Sequence, residues 1–269
     1  TKNENKEQYT INIIIIQMSS LNIYIGFDSS NYGQEMAYEV CKRSLLEHNP
    51  NLKIYKLVKK ELQERGIFSR DDNSGTTEFT YTRFLVPFLN DYKGYALFCD
   101  SDFLWQCDVN ELIDKYIYQL NNIPTNDTLN PIDFTVGCVK HEYTECNGKL
   151  KMNGLHQEWY PRKNWSSLML FNCERCKILT PLVVNTSTPK YLHRMEWCND
   201  EYIISLDKAY NYLVGYYNDL EIKDIKALHY TDGGPWHPGH ENTQYAKEWL
   251  EYVTSNEKER LVKEIGVKL

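Results

Sequence analysis

Gly94-Tyr-Ala-Leu-Phe-Cys-Asp100-Ser-Asp102-Phe-Leu-Trp105 is the stretch on which the reading of this chain turns. A short apolar run, Tyr95 to Cys99, ends abruptly in two acids separated by one residue. Such a run reads as a strand buried to its last residue, with both carboxylates emerging at its C-terminal edge. Hard oxygen ligands at one strand end suit Mg²⁺ or Mn²⁺, with open positions left for phosphate oxygens. Asp-x-Asp alone also describes a solvated turn. The apolar run before it argues for the strand end.

Upstream, Asn22-Ile-Tyr-Ile-Gly-Phe-Asp28 is a second strand ending in an acid. Gln34 to His48 then reads as an amphipathic helix, with Met36, Val40, Leu45 and Leu46 inward and Glu35, Lys42 and Arg43 outward. Asn49-Pro50-Asn51 stops it, and Lys53 to Val58 is the next strand. Strand, helix and strand in this order make a βαβ unit and hence a parallel sheet. Thr77 to Leu89 has helical spacing and leads into the Asp100 strand as a second crossover. Further strands are expected at 12–18, 134–139, 167–172, 212–216 and 225–229. Helices are expected at 109–120, 173–183, 199–206 and 242–253. Lys60 to Phe68 reads as a short helix or loop, 70–75 and 121–131 as loops, and 141–161 as irregular. There is no internal repeat or low-complexity linker. The division expected is an N-terminal extension at 1–20, one α/β domain at 21–254 and a charged helical tail at 255–269.

The bulk properties fit a globular domain. The 269 residues are 42% hydrophobic and 25% charged, with a formal net charge of -7, which argues against nucleic acid as the main partner. The apolar run from Ile11 to Met18 is too short to cross a bilayer, which takes about 20 residues, so no integral membrane segment is expected. The 8 Cys include a CxxC at Cys173 and Cys176. They are either reduced, buried thiols or part of a zinc knuckle completed by residues such as Cys138 and Cys146. The chain begins at Thr1, so targeting stays open. A soluble, cytoplasmic protein is the expectation. Asn126, Asn164 and Asn185 match the glycosylation pattern, which carries meaning only with a secretory route.

The second chemical segment is His229-Tyr-Thr-Asp-Gly-Gly-Pro-Trp236. A strand ends in a His, and Gly233 and Gly234 then let backbone N–H groups approach a phosphate without a Cβ in the way. His229 is either a nitrogen ligand to a metal already held by the two acids or a hydrogen-bonded core residue.

Together these segments resemble the family 8 glycosyltransferases, including the glycogenin-type and bacterial lipopolysaccharide-type enzymes. Four segments match in order between Ile23 and Trp236: Ile23-Tyr-Ile-Gly-Phe-Asp28, Thr80-Tyr-Thr-Arg83-Phe-Leu, Cys99-Asp100-Ser101-Asp102, and the His229 segment. Thr77-Glu-Phe, Tyr160-Pro-Arg-Lys-Asn-Trp-Ser-Ser-Leu-Met-Leu-Phe-Asn172 and Leu228-His-Tyr resemble uncharacterised bacterial and viral members more closely. The resemblance implies an α/β GT-A fold, a mostly parallel Rossmann-like sheet flanked by helices. It also implies a nucleotide-sugar donor, UDP-linked, with Mn²⁺ (or Mg²⁺), and a glycan, protein or small-molecule acceptor, with retention of configuration.

Carried across, the resemblance makes Asp100, Asp102 and His229 metal ligands. Phe27 and Asp28 hold the uracil and ribose. Arg83 neutralises diphosphate or orients the sugar, and Ser101, Gly233, Gly234 and Trp236 complete the donor site. Asp200 and Glu201 fall beside the anomeric carbon, with Glu201 in place of the usual amide. A carboxylate there acts as nucleophile or charge stabiliser, or the pair simply starts a helix. Gly234 stands where the family often has a Lys, and Lys163 or Arg162 supplies that charge or belongs to a solvated loop. Trp165-Ser166-Ser167 replaces the family's Asn-Ala-Gly. Trp165 either stacks on a sugar or packs. Two other readings remain. A sugar-nucleotide nucleotidyltransferase needs a basic Gly-rich loop after the first strand, which Ser29-Ser-Asn-Tyr-Gly33 lacks. A catalytically decayed glycan-binding protein sits poorly with intact Asp100, Asp102 and His229.

Overall fold

A computed structural model describes residues 21–70, 75, 77–119, 134–142 and 161–269. The expected strand at 12–18, the 121–131 loop, most of the 141–161 stretch and Cys146 lie outside the described residues.

The expected βαβ unit is present. Strand β1 (Asn22–Gly26) is followed by helix α1 (Tyr32–His48) and strand β2 (Lys53–Leu57). The side chain of Asn31 caps α1 by accepting from Gln34 N–H at 3.1 Å, which satisfies one of the free N–H groups of the first turn. β2 lies parallel to β1, and so does β3 (Tyr95–Cys99) on its other side. The remaining strands are β4 (Phe103–Trp105), β5 (Val136–Cys138), β6 (Leu168–Asn172), β7 (Ile203–Ser205), β8 (Tyr212–Leu213) and β9 (Ala227–His229). The main sheet has six strands in the order β2-β1-β3-β6-β5-β7, with β6 alone running against its neighbours.

Side chains alternate across a strand, and both faces of this sheet are covered. Tyr24, Ala96, Phe98, Met169 and Phe171 enter one core with Phe84 and Trp197. Ile23, Ile25, Leu97, Cys99, Leu168 and Leu170 enter another with Tyr38, Cys41 and Leu45 of α1. That explains why β1, β3 and β6 are nearly unbroken apolar runs.

A second sheet, ordered β4-β9-β8, packs on the opposite flank of α1. Leu104, Tyr212, Leu228, Trp236 and Trp249 share a core with Met36, Ala37 and Val40. α1 is therefore a wedge between the sheets. Leu261 and Val267 of the charged tail close this core, and Glu257 pairs with Arg43 of α1 at 2.6 Å. Among the described residues, no helix is long and apolar enough to cross a membrane.

Several expected elements are corrected. The segment 199–206 is not a helix but a 3-10 turn, Asp200–Tyr202, followed by β7. Its β-branched Ile203 and Ile204 gain a parallel ladder with β5, and that outweighs the helix-like acidic start. The 173–183 helix breaks into a 3-10 turn at Cys173–Arg175 and a helix at Pro181–Thr186. Pro181 lacks an N–H and so opens a helix rather than continuing one. Thr77 to Leu89 is a turn, then a 3-10 turn at Thr82–Leu85 and one α turn at Val86–Leu89. The 242–253 helix is confined to Ala246–Leu250 because Tyr245 adopts a left-handed φ of 62°. The 212–216 strand ends at Leu213, before the turn at Gly215.

Candidate metal and donor site

The two sheets meet at the Asp-x-Asp. β3 ends at Cys99, Asp100 and Asp102 follow, and Phe103 starts β4 opposite His229 of β9. Tyr230 N–H donates to the Asp102 carbonyl at 3.0 Å, extending that ladder by one step. Strand pairing thus brings together residues far apart in sequence. One ligand atom from each of Asp100, Asp102 and His229 lies within 4.8 Å of the others.

His229 is 1% exposed, and its ring lies on Phe103 with centroids 4.5 Å apart. Its Nε2 faces Asp102 Oδ1 at 3.3 Å. Burial pushes the Asp102 carboxyl up, but His229 and Arg83 outweigh it and hold the group below the usual carboxylate range. Asp102 Oδ1 is sealed from solvent without a well-formed hydrogen bond. A buried carboxylate oxygen and an imidazole nitrogen at this separation need a proton or a cation between them. Two carboxylates and an imidazole fit a divalent metal ion. Among the described residues this is the only such cluster. The CxxC thiols are buried in the core instead, Cys173 and Cys176 both fully enclosed. Burial pushes the Cys173 thiol up to about 12.

Arg83 reaches the cluster from the 3-10 turn before β3. Its Nη1 pairs with Asp100 Oδ1 at 2.8 Å and donates to the Ser166 carbonyl at 2.8 Å, while Nε donates to the Phe79 carbonyl. The guanidinium sits between the rings of Phe79 and Phe98. Its direct carboxylate partner is thus a member of the Asp-Asp-His cluster.

The loop after β1 lies at the same edge of the sheet, since β1 and β3 run in parallel. Asp28 is buried there. Its Oδ1 accepts from Ser30 N–H at 2.9 Å and its Oδ2 from Glu78 N–H at 3.3 Å, so the carboxylate ties this loop to the one before Arg83. Phe27 is half-buried against Tyr38, with the Lys56 ammonium 4.2 Å from its ring centre. Ser101 is buried between the two acids.

After His229 the chain turns through Gly233, which has a φ of 112°. Gly234 has no room for a side chain. A Cβ there would lie 2.1 Å from the Trp236 indole. Trp236 is a core residue against Tyr230 and Trp249, and the backbone oxygen of Trp236 presses on Gly33 of α1 in the same way. Gly234→Ala is therefore expected to destabilise the fold by about 1–3 kcal/mol, as overpacking does. A thermal melt several degrees below wild type checks this, and an unchanged melt contradicts it.

His237, next in the chain, is half-buried. It contacts Gln34 of α1 at 3.4 Å. Burial and His240 push its pKa down, Asp102 and Asp28 pull it up, and the result is about 4.

The turn before β6 holds Lys163, buried, between two residues with left-handed φ, Arg162 and Asn164. Arg162 pairs with Asp200 at 2.5 Å, and Trp165 donates through Nε1 to the His141 carbonyl at 3.3 Å. Glu201 is exposed on the turn before β7. The ladder register puts Ile203 level with Val136 and Phe171, whereas Leu168 is the residue level with Cys99. Asp200 and Glu201 thus precede the end of β7 remote from the Asp-x-Asp edge. The described contacts join Asp100, Asp102, His229 and Arg83, and do not bring Glu201 to them.

This architecture, with an Asp-x-Asp and a histidine converging at the sheet edge, is the GT-A fold. The bifunctional glycosyltransferase WbbM is similar, with a TM-score of 0.54 and 16% identity over 92% of this chain, which spans about half (52%) of that one. The glycosyltransferase GlyE of Streptococcus pneumoniae TIGR4 gives 0.52 at 16% identity, with 91% of this chain and 62% of that one covered. The galactosyltransferase LgtC, solved with donor and acceptor sugar analogs, gives 0.51 at 13% identity, with 89% of this chain and 100% of that one covered. By sequence, the chain belongs to the family of Protein CDI from Arabidopsis thaliana, to which it is 37% identical over 249 residues, covering 88% of this chain and 89% of that protein. No family model matches.

Proposed function

We propose that the protein is a metal-dependent glycosyltransferase that moves a sugar from a nucleotide-sugar, UDP-linked, to a glycan, protein or small-molecule acceptor with retention of configuration. The observation that carries this reading is the convergence of Asp100, Asp102 and His229 within 4.8 Å at the C-terminal edge of a GT-A sheet. Open α/β sheets bind ligands at that edge.

On this reading Asp100, Asp102 and His229 hold Mn²⁺, the imidazole favouring it over Mg²⁺. The ion supplies Lewis-acid neutralisation of the leaving diphosphate. Arg83 fixes the Asp100 carboxylate. Phe27 and the Asp28 loop receive the nucleoside, and Gly233 offers backbone to the phosphates. Lys163 adds positive charge beside them, and Ser101 and Trp236 shape the site from within. Asp200 and Glu201 are the candidates beside the reacting sugar, and Arg162 ties Asp200 to the 162–167 segment that also holds Arg83 and Asp100.

The test is UDP release from a panel of UDP-sugars with Mn²⁺ and with EDTA. The expected result is release from one or two donors that chelation abolishes and added Mn²⁺ restores. EDTA-insensitive release refutes the metal role. A sugar-nucleotide synthase would instead consume UTP and a sugar phosphate and release pyrophosphate.

A further inference from the structure

We propose that Asn211 and Ser167 are positioning residues for the metal site: a directed hydrogen-bond chain through them fixes the His229 ring with its Nδ1 protonated and its Nε2 turned to the metal. The inference rests on the metal reading above and concerns residues that nothing in that reading assigns.

The direction of the chain follows from counting protons. Ser167 has one hydroxyl proton, and its Oγ donates to the Asn164 carbonyl at 2.7 Å. The same oxygen can then only accept, and it does so from Asn211 Nδ2 at 2.9 Å. Asn211 must therefore turn its other end, the carbonyl oxygen, toward His229. That oxygen lies 2.8 Å from His229 Nδ1 and has no proton to give, so Nδ1 carries one. His229 Nε2 is left facing Asp102. Asn211 is wholly buried and Ser167 nearly so, which keeps water from substituting for either partner.

The chain closes on itself. Asn164, held at a left-handed φ of 63°, donates through Nδ2 to Thr231 Oγ1 at 3.1 Å, two residues after His229. The segment also serves the carboxylates. The Ser167 carbonyl accepts from Asp100 N–H at 2.9 Å, and the Ser166 carbonyl accepts from Arg83, which holds Asp100. Asn164-Trp-Ser-Ser167 thus supports ligands from both sheets. Outer partners of metal-bound histidines fix ring orientation, and losing one costs about 10–100-fold in metal affinity.

The experiment compares Mn²⁺ affinity, by electron paramagnetic resonance of free Mn²⁺, in wild type, Asn211→Leu, Asn211→Asp and Ser167→Ala. Circular dichroism checks each fold. Asn211→Leu is expected to bind about 10–100-fold more weakly. Asn211→Asp keeps an acceptor for Nδ1–H and is expected to stay close to wild type. Ser167→Ala, which leaves the Asn211 amide free to turn over, falls between them and serves if the Leu variant does not fold. A folded Asn211→Leu that binds like wild type overturns the proposal. Independently of metal, ¹⁵N-histidine labelling is expected to show a slowly exchanging His229 Nδ1–H, and a bare Nδ1 in wild type overturns the proposal as well. If wild type binds no Mn²⁺, the metal reading itself fails, an outcome distinct from equal binding by wild type and variant.

Discussion

Replacing Asp102 with alanine is expected to abolish both Mn²⁺-dependent UDP binding and sugar transfer. On the proposed reading the carboxylate is one of three metal-holding groups, and its Oδ1 is the buried oxygen facing His229 Nε2 at 3.3 Å. Deleting it would take a full negative charge from the site that the metal would occupy and leave the imidazole facing a cavity. The loss should exceed the roughly 10–100-fold seen when an outer partner is removed. Asn211 and Phe103 still hold the His229 ring in this variant, and circular dichroism checks that the fold survives. Calorimetry with UDP and Mn²⁺ decides it, and equal binding by wild type and variant would sink the metal assignment.

Arg83→Met should have the largest effect on stability. Arg83 and Asp100 form an ion pair at 2.8 Å with side chains only 7% and 15% exposed. Breaking a buried pair from one side leaves an uncompensated charge and costs about 3–5 kcal/mol. That corresponds to a fall in melting temperature of roughly 10 °C for a domain of this size. Arg83→Lys is expected to rescue little. One ammonium cannot reproduce the planar fork that reaches Asp100, Ser166 and Phe79 together. Thermal melts and Mn²⁺ titration read both variants. If Arg83→Met instead melts like wild type, binds Mn²⁺ normally and loses only UDP-sugar affinity, then Arg83 acts directly on the donor diphosphate.

The parts of this protein that were legible in sequence are those with local signatures. β1, α1 and β2 announced themselves through apolar runs, an amphipathic pattern and a Pro stop. Asp100 and Asp102 were readable because a buried strand stops so sharply before them. Short segments with mixed signals were not. Asp200-Glu-Tyr-Ile-Ile carries the acidic start of a helix and the β-branched pair of a strand, and only pairing with β5 decides between them. Pro181 was visible, but the 173–183 periodicity obscured its meaning. In the site, the Arg83–Asp100 pair and the roles of Ser167 and Asn211 depend on contacts across 17, 18 and 44 residues, which leave no spacing to read. The crowding of Gly234 by the ring of Trp236 is likewise a contact that spacing does not reveal.

The joint between the two sheets carries a further consequence. Phe103 stands opposite His229, and Phe103 follows Asp102 without a spacer. Side chains alternate with a period of two, so sliding β9 by one residue against β4 would point His229 away from the carboxylates. The Asp-Asp-His cluster is therefore sensitive to a single-residue insertion or deletion anywhere in the short strand pair, even one that touches none of its three side chains.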